Sequence, residues 1–147
     1  MADPFESGLE AAFMREARRA PPGTRVVAID VGANDGQWSR AWRHFAKESA
    51  ARGVPFELFI IEPQPTFRAS LTQLAASINA TFLPVAASKQ DGTAAFHIDA
   101  PGSPGASLAR QHEGEMRTQT VTTIDLAAFL RRTLSSRPPT LSFVKLD

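Results

Sequence analysis

Two short blocks of the chain carry most of the residues with chemistry to offer. Asp30, Gly32, Asn34 and Gly36 alternate directly after the apolar run Val26-Val27-Ala28-Ile29, and Glu62 closes a second run, Phe56-Glu57-Leu58-Phe59-Ile60-Ile61. Ligands of open α/β sheets bind beyond the carboxyl ends of the strands, where a glycine-bearing turn and a strand-end carboxylate would both lie. Glycines at 32 and 36 admit conformations and close approaches that a Cβ would obstruct. The helix after the turn is expected to present free N–H groups to a polar or anionic ligand. A carboxylate at Glu62 can accept both hydroxyls of a ribose. Asn34 suits a left-handed backbone position, and Asp35 suits a helix N-terminus.

Two phosphate-binding patterns fail on these residues. A dinucleotide fingerprint needs a second glycine where Asn34 stands, and it meets Trp38 near the place of the third. A P-loop needs Gly-Lys-Ser/Thr after the turn, which is absent. An adenosine-type ligand without a pyrophosphate remains, and S-adenosylmethionine is the commonest such cofactor for this kind of sheet.

The elements that must hold these residues follow from periodicity. Phe5, Leu9, Ala12, Phe13 and Ala17 repeat at helical intervals until Pro21-Pro22-Gly23. Trp38, Ala41, Trp42, Phe45 and Ala46 predict one helix running from the turn to Gly53, with its aromatics in the core rather than in an aromatic cage. Phe67, Leu71, Leu74, Ala75 and Ile78 predict another, capped by Thr66. Thr81 to Ala86 reads as a third strand, which Pro84 pushes to an edge. Asp91-Gly92 turns into Thr93 to Ile98, where His97 is an ordinary sheet residue before it is a base. Thr118 to Ile124 and Leu141 to Leu146 are further strands, separated by a helix from Leu126 to Leu134 that Asp125 caps and that exposes Arg131-Arg132. Pro101 to Gly105, with Ser103 and Ser107 nearby, reads as a long loop over the sheet. Strands alternating with helices make a parallel-paired α/β sheet the expected architecture.

Composition excludes several alternatives. The 147 residues are 43% hydrophobic and 21% charged, enough for a globular core. Sixteen basic against 15 acidic residues leave a formal charge of +1, so nothing in the overall balance draws nucleic acid or an anionic membrane. A small partner is expected. There is no cysteine, and the three histidines, His44, His97 and His112, have no metal-ligand spacing, so no metal is expected. The apolar runs are strand-length, and Met1 to Glu6 lacks a signal-peptide pattern, which points to a cytoplasmic protein.

Four blocks then resemble a known family. Val27-Ala28-Ile29-Asp30-Val31-Gly32-Ala33-Asn34-Asp35-Gly36-Gln37, Ile61-Glu62-Pro63, Val121-Thr122-Thr123-Ile124-Asp125 and Val144-Lys145-Leu146-Asp147 are similar in order and spacing to FkbM-family S-adenosylmethionine-dependent methyltransferases. The resemblance runs from about Val26 to Asp147. It implies a Rossmann-like class I methyltransferase sheet with helices on both faces, in a domain over 24–147 that follows an N-terminal helix and linker over 1–23. It also implies methyl transfer from the sulfonium to an oxygen nucleophile, a hydroxyl of a sugar or another small natural product. Asp30, Gly32, Asn34 and Gly36 would line the cofactor, Glu62 would hold its ribose, and Lys145 and Asp147 would contact cofactor or substrate. Family members normally continue past the Lys-x-Asp block into further strands. The expectation is therefore a C-terminally truncated domain whose Leu141–Leu146 edge a second chain would cover, with an inactive methyltransferase-like fragment or interaction module as the alternative.

Overall fold

The computed structural model describes residues 8–98, 117–135 and 140–147. A four-stranded, wholly parallel sheet forms its centre, in the order β3, β2, β1, β7. These strands are β1 (Arg25–Val31), β2 (Phe56–Ile61), β3 (Thr81–Leu83) and β7 (Thr140–Leu146). β1 lies in the middle and is buried over nearly its whole length, as its uninterrupted apolar sequence requires of a strand covered on both faces.

Alternation along β1 sends its side chains into two cores. Val26 and Ala28 face a layer made by α1 (Gly8–Arg19), α2 (Gln37–Arg40), α3 (Arg43–Ala51) and α4 (Arg68–Ile78), where Phe13, Met14, Trp42, Phe45 and Leu71 pack. Val27, Ile29 and Val31 face α5 (Leu126–Leu134), meeting Phe129, Leu130 and Leu134. The arrangement is a mixed α/β fold, a parallel sheet between helices, as in Rossmann-like methyltransferases. The loop expected at Pro101 to Gly105, with Ser103 and Ser107, lies outside the described residues, as do Phe5 and His112.

Several elements depart from their expected form. The helix expected from Trp38 to Gly53 is two helices, separated by a turn at Ala41 and Trp42, and the Trp42 ring lies fully in the core beside Phe13, Phe45 and Phe56. Thr66 does not cap α4: a single 3-10 turn, Pro65–Phe67, precedes the helix, and Phe67 stands at the N-cap with no side-chain cap hydrogen bond. The third strand is split at Pro84. Leu83 ends β3 on the central sheet, and β4 (Ala86–Ser88) joins a separate three-stranded sheet, pairing parallel to β6 (Arg117–Asp125), which pairs antiparallel to β5 (Gly92–Ile98). Proline supplies no ladder donor, so the break falls where sequence places it. Asp125 does cap α5, its Oδ1 accepting from the Ala128 N–H at 3.0 Å.

Among the described residues β7 pairs only with β1, which leaves its other edge open and its strand half-buried where β1 is sealed. Leu146, at its end, is 65% exposed. Such an edge offers unpaired N–H and C=O groups to any further strand. No helix of the described residues is long and apolar enough to cross a membrane.

Candidate functional site

Register decides what meets at the top of the sheet. Val31 stands opposite Ile61 on β2 and Leu146 on β7, so Gly32, Glu62 and Asp147 emerge side by side from three aligned strands. One row below, Asp30 stands opposite Lys145. Neighbouring residues in register share a face, so the carboxylate and the ammonium point to the same side of the sheet.

Asp30 is wholly buried, and both of its oxygens are engaged. Its Oδ2 accepts from Ser39 Oγ at 2.6 Å, and its Oδ1 accepts from Lys145 Nζ at 3.0 Å. Lys145 reaches on to Asp147 Oδ2 at 2.8 Å and lies 5.9 Å from the centre of the Trp38 ring. Burial by itself disfavours the ammonium, but the contacts with Asp147 and Asp30 outweigh it and hold Lys145 above the ordinary lysine value. This lysine is a fixed cation rather than a base.

That shift has a sign for stability. A lysine whose folded value is raised stabilises the fold fully below its ordinary value, 10.5, and loses that contribution as pH climbs through the raised value. Lys145→Met is expected to remove this alkaline loss, so the difference in unfolding free energy between wild type and variant should be level up to pH 10.5 and shrink above it. Urea titrations across the alkaline range measure it, and a difference independent of pH there would refute the assignment.

The turn after β1 is built on left-handed positions at Gly32, Asn34 and Gly36, with φ of 81°, 53° and 84°. Its amides at Gly32, Ala33, Asn34 and Gly36 are satisfied internally. Gly32 and Ala33 N–H both donate to the Ile61 carbonyl, at 2.9 and 3.1 Å, and Gly36 N–H donates to the Ala33 carbonyl at 2.9 Å. Asn34 N–H donates to Glu62 Oε1 at 2.8 Å, and Gln64 N–H donates to Glu62 Oε2 at 2.9 Å. Within the turn these donors go to β2, to Ala33 and to Glu62. The helix beyond it is a single turn whose first N–H, from Gln37, donates to Asp35 Oδ1 at 3.1 Å, the role foreseen for Asp35.

Glu62 is only 2% exposed. Burial pushes its carboxyl above the ordinary glutamate range, and the two amide donors oppose that without cancelling it. Glu62 thus holds the turn from beneath, accepting from the Gln64 side chain as well as from the two amides. Gly36 faces away from the site, against Leu71 and Leu74. Gly32 lies under Asp147, whose Cβ is 3.1 Å from where a Gly32 Cβ would stand.

A cleft of about 660 Å³ opens here, lined by Ala33, Asn34, Asp35, Gln37, Trp38, Arg40, Ala41, Lys145 and Asp147. Of the seven residues singled out from sequence, Asn34, Lys145 and Asp147 line it; Gly32 packs under Asp147, and Asp30, Gly36 and Glu62 are not among the lining residues. Sequence reasoning missed Ser39, Gln64 and Arg40. Ser39 looks like any polar helix residue until its hydroxyl is seen on Asp30, and Gln64 places Nε2 3.5 Å from Asn34 Oδ1. His97 lies on β5, its Nδ1 3.5 Å from Thr118 Oγ1, and is not among the lining residues. No group of three or more His, Asp or Glu among the described residues could hold a metal ion.

The family model described as the methyltransferase FkbM domain matches residues 30–147. The chain belongs to the FkbM methyltransferase family. The matched span starts at the Asp30 that anchors the lysine and ends at the Asp147 that lines the cleft, so every residue of the site lies inside the FkbM domain. Helix α1 lies outside the match, yet Phe13, Met14 and Ala17 complete the core of the FkbM domain's helical layer. No curated protein and no solved structure matches the chain.

Proposed function

We propose that this methyltransferase uses S-adenosylmethionine and methylates a hydroxyl of a small molecule, a sugar or another natural product. The observation that carries the reading is the cleft at the carboxyl ends of β1 and β7, in a chain of a methyltransferase family. Its volume, about 660 Å³, lies within the usual range for small-molecule sites, and its mixture of indole, amide, carboxylate and ammonium groups suits a nucleoside joined to an amino acid.

Bound there, the cofactor would supply an electrophilic methyl group, the C–O bond forming as the C–S bond breaks. The chain's own residues would bind and orient. Asn34, Lys145 and Asp147 would contact the cofactor directly. Gly32 would leave room for Asp147 to pack above it, Glu62 and Gly36 would hold the turn in shape, and Asp30 would act from below. A ribose on Glu62 would have to use the lone pairs that Asn34 and Gln64 leave. Alignment of nucleophile, methyl carbon and sulfur is the main source of rate in such a displacement. The acceptor hydroxyl would give up its proton to water as the new bond forms, and the sulfur would leave as a neutral thioether. With the chain near electrical neutrality, a small-molecule acceptor suits it better than nucleic acid or a membrane surface.

Calorimetric titration with S-adenosylhomocysteine tests the cofactor. Saturable heat with that ligand, and none with a reduced nicotinamide dinucleotide, is expected. Absence of heat with the first, or equal affinity for the second, overturns the reading.

A further inference from the structure

We infer that Asp30 and Ser39 are positioning residues that act through Lys145, setting its ammonium beside Asp147 so that the pair receives the charged α-amino-acid end of the ligand in the cleft. The identity of that ligand rests on the function proposed above; the positioning does not.

Asp30 cannot touch a ligand. It is fully buried, and Ser39, also fully buried, directs one of its oxygens at 2.6 Å while the other faces Lys145 at 3.0 Å. Its neighbours on the same face of β1, Val26 and Ala28, are apolar core residues. Stability alone does not call for an acid here, since a buried ion pair is often matched or bettered by apolar residues of similar size. What Asp30 does supply is direction. It holds the lysine head at the cleft wall, where the side chain keeps 19% exposure.

An ammonium has three donors. Asp30 and Asp147 take two, at 3.0 and 2.8 Å, which leaves one for the cleft. The 2.8 Å spacing puts a cation and a half-exposed carboxylate side by side at the cleft wall. An α-amino acid is the complementary pair, its carboxylate suited to Lys145 and its ammonium to Asp147. With one cation between two carboxylates, the cluster carries no surplus positive charge and so does not select phosphate.

Two probes separate this from a structural role: S-adenosylhomocysteine and 5′-methylthioadenosine, which share the nucleoside but differ in the amino-acid end. Lys145→Met and Asp30→Asn are each expected to weaken the first about tenfold to a hundredfold, the range for losing a hydrogen bond to a charged group, and to leave the second unchanged. The double variant should bind no more weakly than Lys145→Met alone. Ser39→Ala carries the same test should Asp30→Asn fail to fold, with a selective loss of about twofold to tenfold that disappears in the Lys145→Met background. Equal weakening of both probes, no weakening of either, or losses that multiply in the double variant overturn the inference. NMR titration of the Lys145 side chain reads the positioning without any ligand: Asp30→Asn should lower its titration, and an unchanged value overturns that half even where wild type binds neither probe and the cofactor reading itself fails.

Discussion

Gly36→Ala is expected to cost about 2–5 kcal/mol of stability, most of it from a collision rather than from backbone strain. Gly36 has φ of 84°, where an alanine costs roughly 1–2 kcal/mol. Its Cβ would also stand 2.8 Å from Leu71 Cδ2 and 2.7 Å from Leu74 Cδ2, well inside normal contact. Those methyls end flexible side chains, but Leu71 is fully buried and Leu74 nearly so, and overpacking a filled core costs about 1–3 kcal/mol more. Gly23→Ala is the control, since φ there is 88° and no heavy atom lies within 4 Å of the added carbon. It should lose only the strain. Thermal unfolding should place Gly36→Ala about 4–20 °C below wild type, with Gly23→Ala much closer to wild type. Equal losses in the two variants would show that the turn yields, and that its packing on α4 does not hold the site.

The second large effect is expected at Glu62. Glu62→Ala strands the Asn34 and Gln64 amides that now donate to its two oxygens at 2.8 and 2.9 Å, and Gln64 itself is buried. Each unsatisfied donor costs about 1–3 kcal/mol, so a loss of roughly 2–6 kcal/mol is expected. Glu62→Gln keeps one accepting oxygen and should lose about half as much. The amides of Asn34 and Gln64 should exchange with solvent faster in both variants. Acidity gives an independent check. The Glu62 carboxyl is raised in the fold, chiefly by burial, so the folded state holds its proton more tightly than the unfolded chain does. Its contribution is therefore most favourable below the ordinary value, 4.5, and is lost as pH rises through the raised value. Glu62→Gln should flatten that part of the stability profile. A wild-type slope of the opposite sign in that window would show that the two amide bonds outweigh burial.

The legible part of the site was its local part. Asp30, Asn34 and Glu62 follow apolar runs at strand ends, and a residue's position at a strand end can be read from the chain one segment at a time. Asn34 adopts the left-handed conformation its side chain suits, and Asp35 bonds the first amide of the following helix. The roles of those residues were less legible. A free carboxylate and a spent one have the same letter, and whether Glu62 faces ligand or turn depends on where β2 delivers it relative to Asn34, which are 28 positions apart. Asp30 and Lys145 are 115 positions apart, and no periodicity links them.

The single helix expected after the turn illustrates the same limit. Its apolar stripe is present and the Trp42 ring reaches the aromatic cluster under β2, yet the helix is interrupted at Ala41 and Trp42. Sequence by itself determined the strands, the turn and the family, because backbone preference and apolar alternation act over a few neighbouring residues. Only the tertiary structure decided that Asp30 is sealed beneath the cleft, that Glu62 holds the turn and that Lys145 is the cation at its wall, because register between parallel strands and burial are set by contacts between segments far apart in the chain.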